Sequence, residues 1–335
     1  MTVFPHDVLQ GEKACEPGYR RLARTGVLAE RARDARLRLR NCDLCARYCH
    51  VDRTENIRGA VCRTGERAVV YSAGPHHGEE DCLRGVRGSG TIFFSFCNLR
   101  CVYCQNWDVS WRGEGREVST EELAAMMLRL QAIGCHNINF VTPSHVVAQI
   151  IAAVDQAAAQ GLALPLVYNT GGYDSPEALA LLDGVIDIYM PDMKYGDSEL
   201  AHRYSHVRDY VRVNQGAVRE MHRQVGDLEI DERGLARRGL LVCHLVLPNR
   251  IAGSEDVLRF LAEEISPNTY LNLMDQYRPC YRTDDYPELD RPITKPEFGE
   301  ALDLANCYGL GTIFAASKTL TLLLFLYRNF DGRAM

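Results

Sequence analysis

Several things this chain lacks narrow its role before any motif is read. Its first eighteen residues, MTVFPHDVLQGEKACEPG, contain no basic stretch followed by an apolar run, so no secretory leader is expected. Asp7, Glu12 and Glu16 are out of place in an acid-poor transit peptide. The apolar tail TLTLLLFLYRNF, residues 319–330, falls short of the about 20 apolar residues a membrane span needs. A buried element or a contact for a second subunit is expected there instead. There is no positive excess either: the net charge is −6, which argues against nucleic-acid and anionic-membrane partners. Without export, the thirteen cysteines, an odd number, are not expected to form a disulfide framework. Metal ligands or redox groups in a reducing cytoplasm are the expectation.

What is present is ordinary in bulk. With 335 residues, 46% of them apolar and 24% charged, the chain can bury a normal core in about two domains or one α/β barrel. Residues 17–40 alternate Arg with Leu and Ala, which predicts a solvated basic helix with one apolar stripe. A cysteine-rich loop region, 41–65, follows. The stretch AGPHHGEEDCLRGVRGSG has turn chemistry and is expected to be irregular, with His76, His77, Glu79 and Glu80 in a solvated turn.

From residue 90 the texture changes. TIFFSF, NINFV, LPLVYN, VIDIYMPDMK, LLVCHLVLP and YLNLMDQY read as strands, each followed by a helical period. Six such units predict a parallel sheet covered by helices, as readily an open or partial barrel as a doubly wound sheet. Either way, ligands gather at the carboxyl ends of the strands.

Directly after the first of these strands come Cys97, Cys101 and Cys104, a C-x3-C-x2-C run with no fourth thiol. A structural zinc takes four ligands, usually as two separated pairs. Three thiolates on one loop can instead hold three corners of an iron–sulfur cubane and leave one iron open, the other reading being a zinc site closed by a distant fourth ligand. That pattern, in a six-fold α/β chain, resembles the radical S-adenosylmethionine superfamily. The resemblance implies a partial (βα)6 TIM-like barrel over 86–318, a cysteine-rich N-terminal extension over 1–85 and an apolar tail over 319–335. It also implies a [4Fe–4S] cluster on Cys97, Cys101 and Cys104, and S-adenosylmethionine on the open iron. Reductive cleavage of that cofactor to a 5′-deoxyadenosyl radical and hydrogen abstraction from a substrate would follow.

Within the superfamily, the runs CVYCQNWD, DIYMPDMK, CHLVLPN and VYNTGGY resemble the pyruvate formate-lyase activating enzymes, and a subgroup related to them. That likeness implies cofactor contacts by Tyr103, Asn169, Thr170, Gly171, Asp192, Lys194 and His244. It further implies an electron donor such as flavodoxin or ferredoxin, and a glycyl-radical enzyme as protein substrate. Radical modification of a small molecule or another peptide is the alternative, and a non-catalytic metal-binding scaffold the alternative of another class. Where activases carry a Gly-Gly-Glu stretch this chain has NFVTPSHV, so Thr142, Ser144 and His145 are the polar groups at that corner.

Elementary chemistry suits these residue types. A zwitterion needs a carboxylate such as Asp192 and a cation such as Lys194, and Gly171 and Gly172 let backbone approach a ligand. Taken alone, Asp192 and Lys194 would form a loop ion pair and His244 would be a hydrogen-bonded core histidine. A second set, Cys42, Cys45, Cys49 and Cys62, has four thiols, enough to close a zinc site or a second iron–sulfur cluster, with His50 as a substitute ligand. Spacing does not separate zinc from iron. Cys82, Cys135, Cys243, Cys280 and Cys307 read as small buried residues, with Cys280 near the mouth of the site.

Overall fold

The computed structural model describes residues 16–310 and 312–315. Its strands are β1 (Ala68–His76), β2 (Ser89–Phe94), β3 (Arg116–Val118), β4 (Ile138–Val141), β5 (Leu166–Thr170), β6 (Ile188–Pro191), β7 (Glu229–Ile230), β8 (Ala236–Leu245), β9 (Tyr270–Met274) and β10 (Thr312–Ala315). They run in the order β10-β9-β8-β6-β5-β4-β2-β1-β3, with β7 paired to β8. The six apolar runs of the sequence are β2, β4, β5, β6, β8 and β9, all parallel. β10 adds a further parallel strand beside β9. Among the described residues nothing pairs the two ends, so the α/β sheet is an open partial barrel.

Parallel strands buried on both faces need apolar residues on both, and alternation sorts them. Ile92, Phe94, Ile138, Phe140, Leu166, Tyr168, Leu240, Val242, Leu271 and Leu273 join the core beneath the helices. Their neighbours Val167, Ile188, Met190, Leu241 and Cys243 form a second cluster with Cys82 and Leu83. Those last two ride on the one-turn helix Asp81–Arg84, which plugs the inside of the barrel. Asn137 Nδ2 donates to the Leu83 carbonyl at 2.8 Å, and Ser89 Oγ donates to Asn137 Oδ1 at 2.6 Å, fixing the plug.

Two local expectations are corrected. The stretch read as irregular contributes Ala73–His76 to β1, antiparallel to β2, and then the plug helix. β3 covers only Ala68–Val70, so the rest of β1 is an edge, where Pro75 can lack an N–H without breaking a ladder. The single basic helix is two, Gly18–Arg24 and Val27–Arg38, separated at Gly26 with φ +78°. Its stripe is no minor feature: Tyr19, Leu28 and Ala35 are fully buried in the main core. The apolar tail 319–335 lies outside the described residues. No helix among the described residues is long and apolar enough to cross a membrane.

Candidate active site

The chain leaves β2 through Phe96, whose φ of +66° turns it out of the strand, and enters the thiol loop at the carboxyl edge of the sheet. Cys97, Cys101 and Cys104 line one wall of a cavity of about 510 Å³ there. Its other walls include Tyr103, Thr142, Asn169, Gly171, Met190, Asp192 and Lys194. Each thiol has its own polar neighbour. Leu99 N donates to Cys97 Sγ at 3.3 Å, Ser205 Oγ donates to Cys101 Sγ at 2.9 Å, and Cys104 Sγ lies 3.1 Å from Ser110 Oγ. Burial pushes Cys97 up to about 12 and Cys101 up to about 11. Thiols held neutral by desolvation are those a soft cation would deprotonate on binding.

Across the cavity, Lys194 Nζ donates to Asp192 Oδ2 at 2.7 Å. Burial opposes the ammonium, and the Asp192 carboxylate overrides it and holds Lys194 well above its ordinary range. The pair is thus the loop ion pair of the plainer expectation and also part of the cavity wall. Tyr210 OH fixes the backbone beneath it, donating toward the carbonyls of Gly171 (3.0 Å) and Asp192 (3.1 Å) and accepting from Lys194 N (3.0 Å). At Gly171 a Cβ would come within 2.8 Å of Leu99 Cδ1 in the thiol loop. Gly172, at φ +72°, would drive a Cβ to 2.4 Å from the Asp192 carbonyl oxygen. These glycines allow β5 and β6 to close on the thiol loop. Tyr103 is wedged edge-on between Tyr195 and Tyr277, with ring centroids 6.4 and 6.0 Å away.

Four residues expected at the site do not line this cavity. His244 is completely buried on the helix side of β8, where alternation puts Cys243 and Leu245 on the cavity side instead. Its Nδ1–H donates to the Met193 carbonyl at 2.6 Å, so Nε2 accepts from Ser254 Oγ at 2.9 Å. Burial lowers it to about 4, and it is a neutral core histidine. Thr170 donates to Asp174 Oδ2 at 2.7 Å and pairs with Ser144 Oγ at 2.7 Å, both side chains being buried. His145 donates through Nε2 to the Ser95 carbonyl at 3.0 Å, and burial lowers it to about 3. Thr170, Ser144 and His145 brace the strand ends from behind; of the corner set, Thr142 alone lines the cavity.

One wall was missed altogether. Glu79, Glu80, Cys243 and Asn272 line the same cavity, and Glu80 is only 5% exposed. The sequence placed both glutamates in a solvated turn, but the plug helix carries Glu80 as its N-cap residue into the barrel.

The second thiol set sits beside the first. The neighbouring Cys49 thiol lowers Cys42 against the effect of burial, with further help from Arg53. Burial and then Cys62 raise Cys45 to about 12. The guanidinium of Arg53, 2% exposed, donates to Thr64 O (2.8 Å) and Gly65 O (3.1 Å), and lies 3.6 Å from Cys42 Sγ. His50 faces outward, 3.2 Å from Asn41 Oδ1. Arg47 ties this loop to the other by donating to Asn98 O at 2.6 Å, while Asn98 Nδ2 donates to Tyr173 O at 2.8 Å. Twelve cysteines of the described residues are free thiols.

As they stand, no three Cys, His, Asp or Glu side chains among the described residues are gathered at metal-ligand spacing. The donor chemistry nevertheless suits a thiolate-held cluster: three soft sulfur donors on one loop face a cavity that also offers a carboxylate, an ammonium and backbone bared by glycine.

Comparison with known proteins agrees with this arrangement. The model of the radical SAM superfamily matches residues 91–228, a span that takes in the thiol loop, Gly171, Asp192 and Lys194. An uncharacterized protein of Methanocaldococcus jannaschii is 32% identical over 284 residues, covering 82% of this chain and 77% of the relative. Among solved structures, the chain is similar to a radical SAM methyltransferase from Sphaerobacter thermophilus, with 14% identity, TM-score 0.45 and coverage of 67% of this chain and 65% of that one. It is also similar to Streptococcus suis SuiB bound to precursor peptide SuiA, with 12% identity, TM-score 0.48 and coverage of 70% and 50%. Methylornithine synthase (PylB) shows 16% identity, TM-score 0.41 and coverage of 68% and 70%. Residues 91–228, which hold the thiol loop and the parallel strands β4, β5 and β6, are therefore a radical SAM superfamily domain.

Proposed function

We infer that this protein abstracts hydrogen from a substrate held in the cavity bounded by Cys97, Cys101, Cys104, Asp192 and Lys194. The observation that carries the reading is that these five side chains, from two loops almost a hundred residues apart, line one cavity at the strand ends. The three thiols would hold a [4Fe–4S] cluster. Bound together, that cluster and S-adenosylmethionine supply one-electron cleavage of the sulfonium and a hydrogen-abstracting radical. The chain's own part is positioning. Lys194 would hold the cofactor's carboxylate, Asp192 its ammonium or ribose, and Asn169 with the bare backbone of Gly171 would seat the rest. Tyr103 packs alongside.

For the substrate, the likeness of CVYCQNWD and DIYMPDMK to the activases supports a glycine of a glycyl-radical enzyme, with flavodoxin or ferredoxin as the electron donor. The second reading, a small molecule or another peptide, is favoured by Thr142 in place of a Gly-Gly-Glu corner and by the acidic wall at Glu80. Cys42, Cys45, Cys49 and Cys62 would hold zinc or a second cluster, and a reducing cytoplasm would keep both thiol sets available.

Anaerobically reconstituted protein given dithionite and S-adenosylmethionine should form 5′-deoxyadenosine; none formed would overturn the reading in favour of a scaffold. A glycyl signal by electron paramagnetic resonance, on mixing with a glycyl-radical enzyme, would select the activase branch.

A further inference from the structure

The same cavity is also lined by His76, Glu79, Glu80, Cys243 and Asn272. Glu80 Oε1 accepts from Asn272 Nδ2 and lies 3.8 Å from Cys243 Sγ, which leaves Oε2 with no partner. Asn272, 4% exposed, spends its amide N–H on Glu80, and its Oδ1 also has no partner. Glu79 lines the same wall and is raised to about 8 by burial and then by Glu80. Lys194, the ammonium that lines this cavity, is already engaged by Asp192 at 2.7 Å. A buried carboxylate without a cation or a full set of donors is costly, and so is an orphaned amide oxygen. Burial raises Glu80 as well, so a cation entering here would be what draws these carboxyls into their ionised form. Two unpartnered polar atoms on residues that line the cavity, beside a second carboxyl, suit a ligand that brings both donors and positive charge.

We propose that Glu80, Asn272 and Glu79 form the substrate-selecting end of the cavity and take a cationic nitrogen group, a guanidinium or primary ammonium. The group belongs to a free small molecule or to a side chain of a peptide. A guanidinium suits this set best, because it brings several forked N–H donors and a charge that it does not lose by giving up a proton. As a substrate subsite this rests on the radical reading above; as a binding site it stands on its own.

The test is calorimetry on the anaerobically reconstituted full chain with n-butylguanidinium, neutral n-butylurea and a capped Gly-Arg-Gly tripeptide. Wild type should bind butylguanidinium at least tenfold more tightly than butylurea. Glu80→Gln, which keeps the acceptor for Asn272, should reduce that preference to within about twofold, and Glu79→Gln should reduce it partially. Glu263→Gln, at an exposed position of the segment Ser254–Ile265, should leave it intact. Tighter binding of the tripeptide than of butylguanidinium assigns the group to a peptide; its exclusion assigns it to a small molecule. Equal binding of the charged and neutral probes, an unaltered preference in Glu80→Gln, or loss of butylguanidinium on saturation with S-adenosylhomocysteine would each overturn the proposal, the last by giving the wall to the cofactor. Selective binding by a protein that forms no 5′-deoxyadenosine would keep the wall and remove the radical reading. Cleavage without selective binding would do the reverse.

Discussion

The two thiol sets of this chain touch through Arg47 and Asn98, yet they are built for opposite ends. Cys97, Cys101 and Cys104 face an open cavity and are three in number. Cys42, Cys45, Cys49 and Cys62 are four, none of them lines that cavity, and a buried guanidinium stands against them. A saturated set can organise a loop, whereas an incomplete set that faces space leaves room for something that reacts. The difference teaches that the count of sulfurs matters less than what lies in front of them.

The contrast breaks most visibly under alanine substitution. Cys97→Ala should abolish 5′-deoxyadenosine formation, a loss of more than about a thousandfold, along with most of the bound iron. Cys42→Ala should leave the iron at the first loop in place while losing zinc, or a separate share of iron and sulfide, measured on the same preparations. Iron that falls to nothing in both variants would show that the two sets act as one. A smaller effect separates packing from ligation at the second set. Arg53→Leu removes a buried cation from two carbonyls and should cost about 3 kcal/mol in denaturant unfolding, even in protein stripped of metal. No change in the stripped protein would mean that the metal alone orders the loop.

The gentlest probe is acid, which should act behind the cavity rather than at either thiol set. His244 titrates near 4 in the folded protein against about 6.5 unfolded, so between these values the unfolded chain binds the extra proton. Stability should therefore fall as pH drops from about 6.5 to 4, by at most about 3 kcal/mol from this group. In His244→Gln the slope over that window should flatten, as followed by urea midpoints; an unchanged slope would assign it to other groups.

Much of this was legible in the residues. Six apolar runs named the parallel strands, and a thiol run after the first located the cavity, because both signals are local and periodic. Asp192 and Lys194 could be placed in the cavity lining for the same reason, as they lie at a strand end. His244 did not, since a one-residue change of parity moves a side chain to the other face, and β8 gives no polar alternation to reveal it. Nor did Thr170, Ser144 and His145: Thr170 and Ser144 bond to each other and Thr170 to Asp174, while His145 reaches the Ser95 carbonyl and keeps a buried Nδ1 with no partner. Glu80 was hidden for a different reason. A four-residue helix has no period to detect, and DCLR reveals its plug only once Cys82 and Leu83 are seen packed under Ile188 and Leu241. The strand through Gly74 and Pro75 likewise depends on being an edge, a fact of topology.

Arg47 leaves a last consequence. By gripping the Asn98 carbonyl, one residue beyond Cys97, it makes the posture of the reactive loop a mechanical dependent of residues 42–49. Whatever loosens that earlier segment, whether oxidation, chelation or simple heating, would be felt as slack at the sulfurs that line the cavity before any of them is itself attacked.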